Sequence, residues 1–497
     1  MYIRIPKTIK YREIVNNNFS LSANQYKKFV IKNKNLFKVK DFLTRELKRS
    51  DLGYEVGSIN YIDKSPVYFL RTKALQPYSY LPEFTNESLI PIKPQVFKNM
   101  NLKKGDLIIS KDSNIGEIVI LDKDYPNVML SSALYKLPVR EKLKYYLLAF
   151  IKHHIFREQL DFMVPSGATI RHAKTMFLDV NIPFPTKNRI QTVKYISLLT
   201  QAIINKEIEI RKKHNLILKK IEEELKQNQK PNKFKFSFPR FSEIKNTTRL
   251  DTGLYTKEFK EIDFMIKNYK NGYFYIEKKD ITGGNTPKIR YIGNEKELKY
   301  KWVTPTMINN FGNFIDLEEK RINFKGKNNI NEDCILIINR TSKGGEGKYV
   351  GITAFYNYND FGPGHHNQGI YKISKFEKEK LIFILTFFNC EIVRNYCKGL
   401  SIGSKMKELK IEQIIQIPIP TFPESKQKEI ALLYHNPEAK YDISQMDLNN
   451  FLEKDNEFNK KAGIYELDKS MKYLKNLLNK AIEKIANDEI VISFKEI

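Results

Sequence analysis

A chain of 497 residues is too long for one hydrophobic core, so two to four domains are expected. Its 41% hydrophobic and 12% aromatic content supplies packed interiors and excludes a disordered chain. The 85 Lys and Arg against 57 Asp and Glu leave a formal charge of +28, which favours a polyanionic partner, because neutralising phosphates releases counterions.

The N-terminal MYIRIPKTIKYREI carries charges where a signal peptide needs an apolar stretch. An aromatic-x-Glu-Ile, Tyr11-Arg-Glu-Ile14, opens the first half, and Leu21 and Tyr26 follow it. Further on, Asp106-Leu-Ile-Ile-Ser110 and residues 117–121 read as buried strands flanked by Gly105 and Gly116. Ala133-Leu-Tyr-Lys-Leu137 is another strand-like run, residues 142–162 read as a helix, and the half closes on Val180-Asn-Ile-Pro-Phe-Pro185. From 187 to 229 no Gly or Pro occurs, and Ile196, Ile203, Ile210 and Ile217 recur every seven residues, with Leu199 and Ile221 alongside. That predicts one long helix with an apolar stripe, about 60 Å at 1.5 Å per residue.

The order then repeats. Phe241-Ser-Glu-Ile244, Leu250 and Tyr255 answer the first opening, and residues 333–338 and 349–355 answer the strands. Gly369-Ile-Tyr-Lys-Ile373, a helix over 377–397 and Ile415-Gln-Ile-Pro-Ile-Pro420 complete the second half. Four matches in one order, at offsets of about 230 to 235, make the chain a tandem duplication with diverged middles. Leu467, Met471, Leu474, Leu478, Ala481 and Ile485 form a second stripe at alternating spacings of four and three, a coiled-coil seam. Asn436-Pro437 and Gly463 interrupt the region before it. Two stripes that cannot hide alone predict an antiparallel coiled-coil spacer; the alternative is two helices, each packed on its own domain. The most apolar run, residues 381–390, is too short to span a bilayer, so a soluble chain with no membrane partner is expected. Cys334, Cys390 and Cys397 form no Cys-x-x-Cys, which suggests neither a zinc site nor a disulfide framework and fits a reducing cytoplasm.

This α/β domain, long helix, α/β domain, long helix order resembles the specificity subunits of type I restriction–modification systems. Gly284-Asn-Thr-Pro287, Trp302-Val-Thr-Pro305 and Met307-Ile-Asn309 match elements of that family's recognition domains, as do the Gly105-Asp106 strand, with Glu332-Asp333 as a weaker second copy, and the Asn367-Gln368 pair. Both halves end on the family's Ile-Pro-x-Pro. The first half departs, with Gly53-Tyr-Glu-Val-Gly57 and Tyr68-Phe-Leu-Arg71 in place of the Gly-x-Thr-Pro and Trp elements, and Ser131-Ser132 in place of Asn-Gln. The resemblance implies an α/β (α+β) fold: target-recognition domains at 1–185 and 233–420, a connector helix at 186–232, and a helical region at 421–497 pairing with it. It further implies a subunit without an active site or cofactor of its own, reading double-stranded DNA in two parts. The expected partners are two methyltransferase subunits, which bind S-adenosylmethionine, and a motor–nuclease subunit that cuts unmodified DNA. The alternatives are an unrecognised DNA-modifying enzyme or nuclease, and a coiled-coil scaffold of a phage-defence complex.

Strings that imitate catalytic motifs fail on spacing. Asp360-Phe-Gly-Pro-Gly364 has the wrong glycine spacing for an S-adenosylmethionine loop, and Gly344-Gly-Glu-Gly-Lys348 puts Tyr349 where a phosphate loop needs Ser or Thr. No Cys or spaced carboxylate completes a metal set around His365-His366. Groove contact is expected there instead, because Asn367 and Gln368 offer the donor and acceptor that read adenine; a capping Asn and a solvated Gln are the alternative. Matching loops rich in Lys, Arg, Ser and Thr are expected to position phosphates. These comprise Lys111, Ser113 and Asn114 against Arg340, Thr341, Ser342 and Lys343, and Arg171, His172 and Lys174 against Ser404, Lys405 and Lys407. Ser131 and Ser132 are the first half's counterpart of Asn367 and Gln368. Because the two middles differ, an asymmetric target is expected.

Overall fold

The computed structural model describes all residues except 1, 17–18, 20, 22, 165–173, 287–298, 316, 318–320, 324–327, 341–348, 404–405, 492–493 and 495–497. The chain forms two units. Unit one comprises residues 1–208, 441–460 and 469–497; unit two comprises 209–440 and 461–468.

Unit one begins with β1 (Ile3–Arg4), the short helix α1 (Tyr11–Asn16) and β2 (Lys28–Phe29), which pairs with β1. Seven strands follow: β3 (Leu36–Lys38), β4 (Tyr68–Leu70), β5 (Leu89–Pro91), β6 (Leu107–Ser110), β7 (Ile118–Ile120), β8 (Val128–Leu130) and β9 (Leu134–Leu137). The β-branched and Leu-rich runs of β6, β7 and β8 are buried on both faces, which explains why they read as continuous apolar segments rather than alternating ones. One sheet has the order β5-β4-β8, with β4 and β8 parallel; another is the antiparallel β7-β6-β9. Helices α2 (Lys144–Lys152) and α3 (His154–Met163) precede β10 (Asn181–Pro183), which pairs with β3. The single helix expected over 142–162 is therefore two. His153 breaks it by adopting extended backbone and accepting the Ile155 N–H at Nδ1, capping α3. The long helix α4 runs from Arg189 to Gln227, and its residues up to 208 belong to unit one.

Unit two repeats the plan. After α5 (Phe241–Thr247) and α6 (Lys257–Lys267) come β11 (Tyr273–Phe274), β12 (Ile281–Gly283), β13 (Tyr300–Val303), β14 (Arg321–Ile322), β15 (Asn329–Ile330), β16 (Cys334–Ile338) and β17 (Thr353–Tyr356). The one-turn helix α7 (Tyr358–Phe361) leads to β18 (Gly364–His366) and β19 (Ile370–Ile373). The sheets are β14-β13-β18-β15, with β13 and β18 parallel, and β12-β19-β16-β17. Helices α8 (Lys378–Phe388), α9 (Glu391–Leu400) and α10 (Ile411–Ile414) are followed by β20 (Ile419–Pro420), paired with β11, and by α11 (Glu424–Tyr434). Here too the expected helix over 377–397 is divided. Asn389 gives its side chain to the sheet edge instead, accepting the Thr353 N–H and donating to the Thr353 carbonyl, both at 2.9 Å. The cores correspond: Leu70, Ala74, Ile108, Val119 and Leu134 in unit one occupy the places of Val303, Met307, Leu336, Ala354 and Ile370 in unit two.

Past the break at Asn436-Pro437 lie α12 (Phe451–Lys461) and α13 (Ile464–Ala486). Both predicted stripes are buried, Ile196 to Ile221 on α4 and Leu467 to Ile485 on α13. In unit one, Asn33 donates its amide N–H to the Ala486 carbonyl (3.1 Å) and its side chain to Ile485 and Phe184 carbonyls. In unit two, the matching Lys270 donates its N–H to the Asn228 carbonyl (2.9 Å), just past the end of α4. The end of α13 thus takes, within unit one, the place that the end of α4 takes within unit two. Among the described residues no helix is long and apolar enough to cross a membrane.

Candidate nucleic-acid interface

In unit two, four loops meet beyond the ends of β12, β13, β16 and β18. The parallel pairing of β13 with β18 aligns their C-terminal ends, and Asn367 donates its N–H to the Val303 carbonyl at 3.0 Å. The 284–286 segment then lies against the turn after β18. Asn285 donates its N–H to His366 O (3.1 Å), its carbonyl lies 3.0 Å from His365 Nε2, and Gln368 N–H reaches Thr286 Oγ1 at 3.4 Å. Gly284 is required there: a Cβ would sit 1.9 Å from Asn367 O. Asn339, after β16, completes the cluster by donating its N–H to Gly369 O and its side chain to Gln368 O, both at 3.0 Å. Glu408 and Leu409 join through Leu409 N–H to Asn339 O (2.6 Å) and the bridge between Arg340 and Glu408.

Behind this surface the histidines are internal. His365 stacks on Trp302 (centroids 5.4 Å apart, 12° between planes) and meets Asn329 Oδ1 at 2.8 Å. His366 Nδ1 lies 3.0 Å from the Ile370 carbonyl. Burial pulls the His366 pKa from 6.5 to about 4, and likewise holds His214 at about 4 and His153 at about 3. The unfolded chain takes up protons below pH 6.5, while the folded chain resists until about pH 4. The stability these groups support is therefore complete above pH 6.5 and is lost as pH falls toward 4. Each costs about 2 kcal/mol by pH 5. Thermal melts should show a lower Tm at pH 5 than at pH 7, and identical values would contradict their burial as neutral groups.

Unit one builds the same cluster from different side chains. Ser131 N–H donates to Leu70 O as Asn367 does to Val303, and Tyr54 N–H donates to Leu130 O as Asn285 does to His366. A Cβ on Gly53 would lie 2.1 Å from Ser131 O, so Gly53 is the counterpart of Gly284 although no Gly-x-Thr-Pro surrounds it. Lys111 N–H donates to Ala133 O as Asn339 does to Gly369, which pairs Lys111 with Asn339, one residue before Arg340. Position by position, Tyr54, Arg71, Lys111 and Ser132 stand where unit two has Asn285, Thr304, Asn339 and Gln368. Arg49 lies 5.1 Å over the Tyr54 ring and adds charge to this version.

Residues 279–454 match the family model for the type I restriction modification DNA specificity domain. The chain carries a type I restriction–modification DNA specificity domain in its second half. It is a DNA-recognition subunit of such systems. No curated protein matches it. Solved structures similar to it include a type I restriction–modification S subunit from M. genitalium, with 12% identity, a TM-score of 0.41, and 90% of this chain and 95% of that one covered. The HsdS subunit from Thermoanaerobacter tengcongensis shows 11% identity, a TM-score of 0.26 and coverage of 92% and 97%. A structure described for complex assembly and conformational transition of the type I R-M system shows 11%, 0.29, and 93% and 100%.

Against the specificity-family expectations, the residues divide by burial. Gln368, Ser113 and Lys174 are exposed; Lys111, Asn114, Ser132, Arg340, Asn367 and Lys407 are half-buried. His365, His366 and Ser131 are buried, which corrects the expected groove contact of the two histidines: their rings hold the turn that presents Gln368. Asn114 donates to the Leu75 carbonyl at 3.2 Å, and Lys111 is paired with Asp112 at 2.7 Å, so both also brace their own loop. The Asp251 carboxyl is held below its usual range by Arg249 first, with Lys407 adding to the effect. Arg171, His172, Thr341, Ser342, Lys343, Ser404 and Lys405 lie outside the described residues. Sequence reading missed Tyr54, Arg71, Thr304 and Asn339 as members of the cluster. The Gly-x-Thr-Pro and Trp-x-Thr-Pro strings marked the places in unit two; in unit one only the hydrogen-bond register reveals them.

Proposed function

We propose that the two loop clusters read the two parts of an asymmetric double-stranded DNA target and that the chain, without an active site of its own, directs methyltransferase subunits to it. The observation that carries this reading is one backbone cluster built twice with different side chains at equivalent positions, on a chain of charge +28. A shared scaffold with diverged edges is what reading two different base sequences requires, while phosphate contacts supply affinity without sequence information. In this reading two methyltransferase subunits join, S-adenosylmethionine sits on them, and a motor–nuclease subunit is a further partner that cuts unmodified DNA. The complex works in the cytoplasm.

The test is co-expression with the methyltransferase encoded beside the gene, followed by long-read sequencing of host DNA for modified bases. A methylated motif of two unlike parts with a fixed gap is the expected result. Two identical inverted parts would overturn the asymmetry. Single residues separate base reading from phosphate contact. Gln368→Ala should relax preference at one base pair, at a cost of about 1–3 kcal/mol. Lys407→Gln should instead weaken binding to all sequences alike and reduce the salt-dependence slope by about one unit. An unchanged slope removes Lys407 from the phosphate contacts.

A further inference from the structure

Within unit one, Glu483 near the end of α13 stands beside the break between α2 and α3. A ring nitrogen of His153, one of His154 and a carboxylate oxygen of Glu483 lie within 4.8 Å of one another. His153 is 4% exposed, and its Nε2 is buried with no hydrogen-bond partner. Its Nδ1 is occupied, accepting the Ile155 N–H at 3.2 Å. His154 and Glu483 are exposed. The Tyr2 ring stacks on His154, with centroids 5.3 Å apart, and the Tyr2 N–H is held by Glu158 at 2.6 Å. A buried imidazole nitrogen without a partner is costly and calls for a ligand.

The fold itself does not require these side chains. Cys390 stands in unit two where His153 stands in unit one, and it makes no side-chain cap. Glu391 follows it as His154 follows His153. The Asn33–Ala486 and Lys270–Asn228 hydrogen bonds align the ends of α13 and α4, which makes the buried Leu225 the counterpart of Glu483. We propose that His153, His154 and Glu483 bind one zinc ion, which clips the end of α13 to the α2–α3 break. Two imidazoles and a carboxylate suit zinc, and water takes the remaining tetrahedral position. Bonds of about 2.0–2.2 Å set tetrahedral donors about 3.3 Å apart, so the side chains close in by at most about 1.5 Å. The exposed His154 and Glu483 side chains can supply that movement. While Nδ1 accepts a hydrogen bond, the neutral His153 ring carries its proton on Nε2. Ligation at Nε2 moves that proton to Nδ1 and gives up the Ile155 bond, which is a long one. No sequence motif marks the site, because Glu483 follows the histidines by about 330 positions.

The full chain is stripped of metal with a chelator and titrated with zinc chloride by calorimetry, and the zinc it retains is counted by elemental mass spectrometry. Wild type should retain one zinc per chain and melt at a higher temperature with zinc than without it. His154→Gln and Glu483→Gln, both at exposed positions, should each weaken zinc binding at least about tenfold and leave the metal-free melting temperature unchanged. His153→Asn should abolish binding yet keep the helix cap, since the asparagine oxygen accepts the Ile155 N–H in place of Nδ1. Excess magnesium should not compete, because it prefers oxygen ligands. A wild-type chain that retains no zinc overturns the proposal. Zinc retained equally by His153→Asn, or by His154→Gln with Glu483→Gln, places the ion on other groups and also overturns it. So does zinc that magnesium displaces, which marks a site made of carboxylates alone.

Discussion

Gly284→Ala is expected to abolish recognition of one part of the target while leaving the other part readable. The added methyl would lie 1.9 Å from the Asn367 carbonyl oxygen, 2.6 Å from its carbon and 2.7 Å from His366 Nδ1. Backbone cannot swing aside as a flexible side-chain end can, so the 284–286 segment must lift from the turn it holds. That breaks the Asn285 to His366 and Gln368 to Thr286 hydrogen bonds and displaces Gln368 and Arg340 from the surface they share. Overpacking of this kind costs about 1–3 kcal/mol in stability. The loss in binding is larger, since specific recognition exceeds non-specific binding by about 10³-fold or more. Gly53→Ala meets Ser131 and Leu130 carbonyls at 2.1 and 2.4 Å and should remove the other part. Gly57, where an added Cβ would meet nothing within 4 Å, supplies the control that should stay silent on space alone. Footprinting on duplex DNA distinguishes the cases. Protection of both parts by Gly284→Ala would show that the cluster does not position the reading residues.

Lys206→Met is expected to destabilise unit one by about 3–5 kcal/mol, a large share of a domain's stability. Lys206 on α4 and Asp455 on α12 form a fully buried ion pair at 2.8 Å, both side chains 0% exposed. The lysine also donates to Asn459 Oδ1 (2.8 Å) and lies over the Tyr441 and Phe458 rings at 4.4 and 4.7 Å. Asp455 accepts from Tyr441 Oη (2.8 Å) and Asn459 Nδ2 (3.0 Å). Burial draws the Lys206 pKa down to about 8, with Asp455 opposing that shift. The cost of Lys206→Met comes from the aspartate left behind, buried and without its cation. Lys206→Met with Asp455→Leu should therefore recover most of it, because two apolar side chains owe no desolvation. Chemical denaturation of the three variants checks this. A double variant no more stable than Lys206→Met would show that packing, rather than the orphaned charge, sets the cost.

The duplication is legible in the amino acids alone, because buried strands and helix stripes must stay apolar in both copies whatever the reading loops do. Ile196 to Ile221 and Leu467 to Ile485 stood out for that reason, and so did the interruption at Asn436-Pro437, where proline cannot continue a helix. The half-ending Ile-Pro-x-Pro strings mark β10 and β20. Other features depend on contacts between distant segments, which local pattern leaves open. Apolar periodicity runs straight through His153 and Cys390, yet the backbone turns extended at each, where His153 caps α3 and Asn389, beside Cys390, bonds the Thr353 backbone. His365 and His366 look like surface chemistry in sequence, but Trp302 and the 284–286 segment close over them from residues some 60 to 80 positions away. Gly53 matches Gly284 with no shared neighbours, since the requirement is space beside a carbonyl from another strand, and that distance exists only after β4 and β8 have paired.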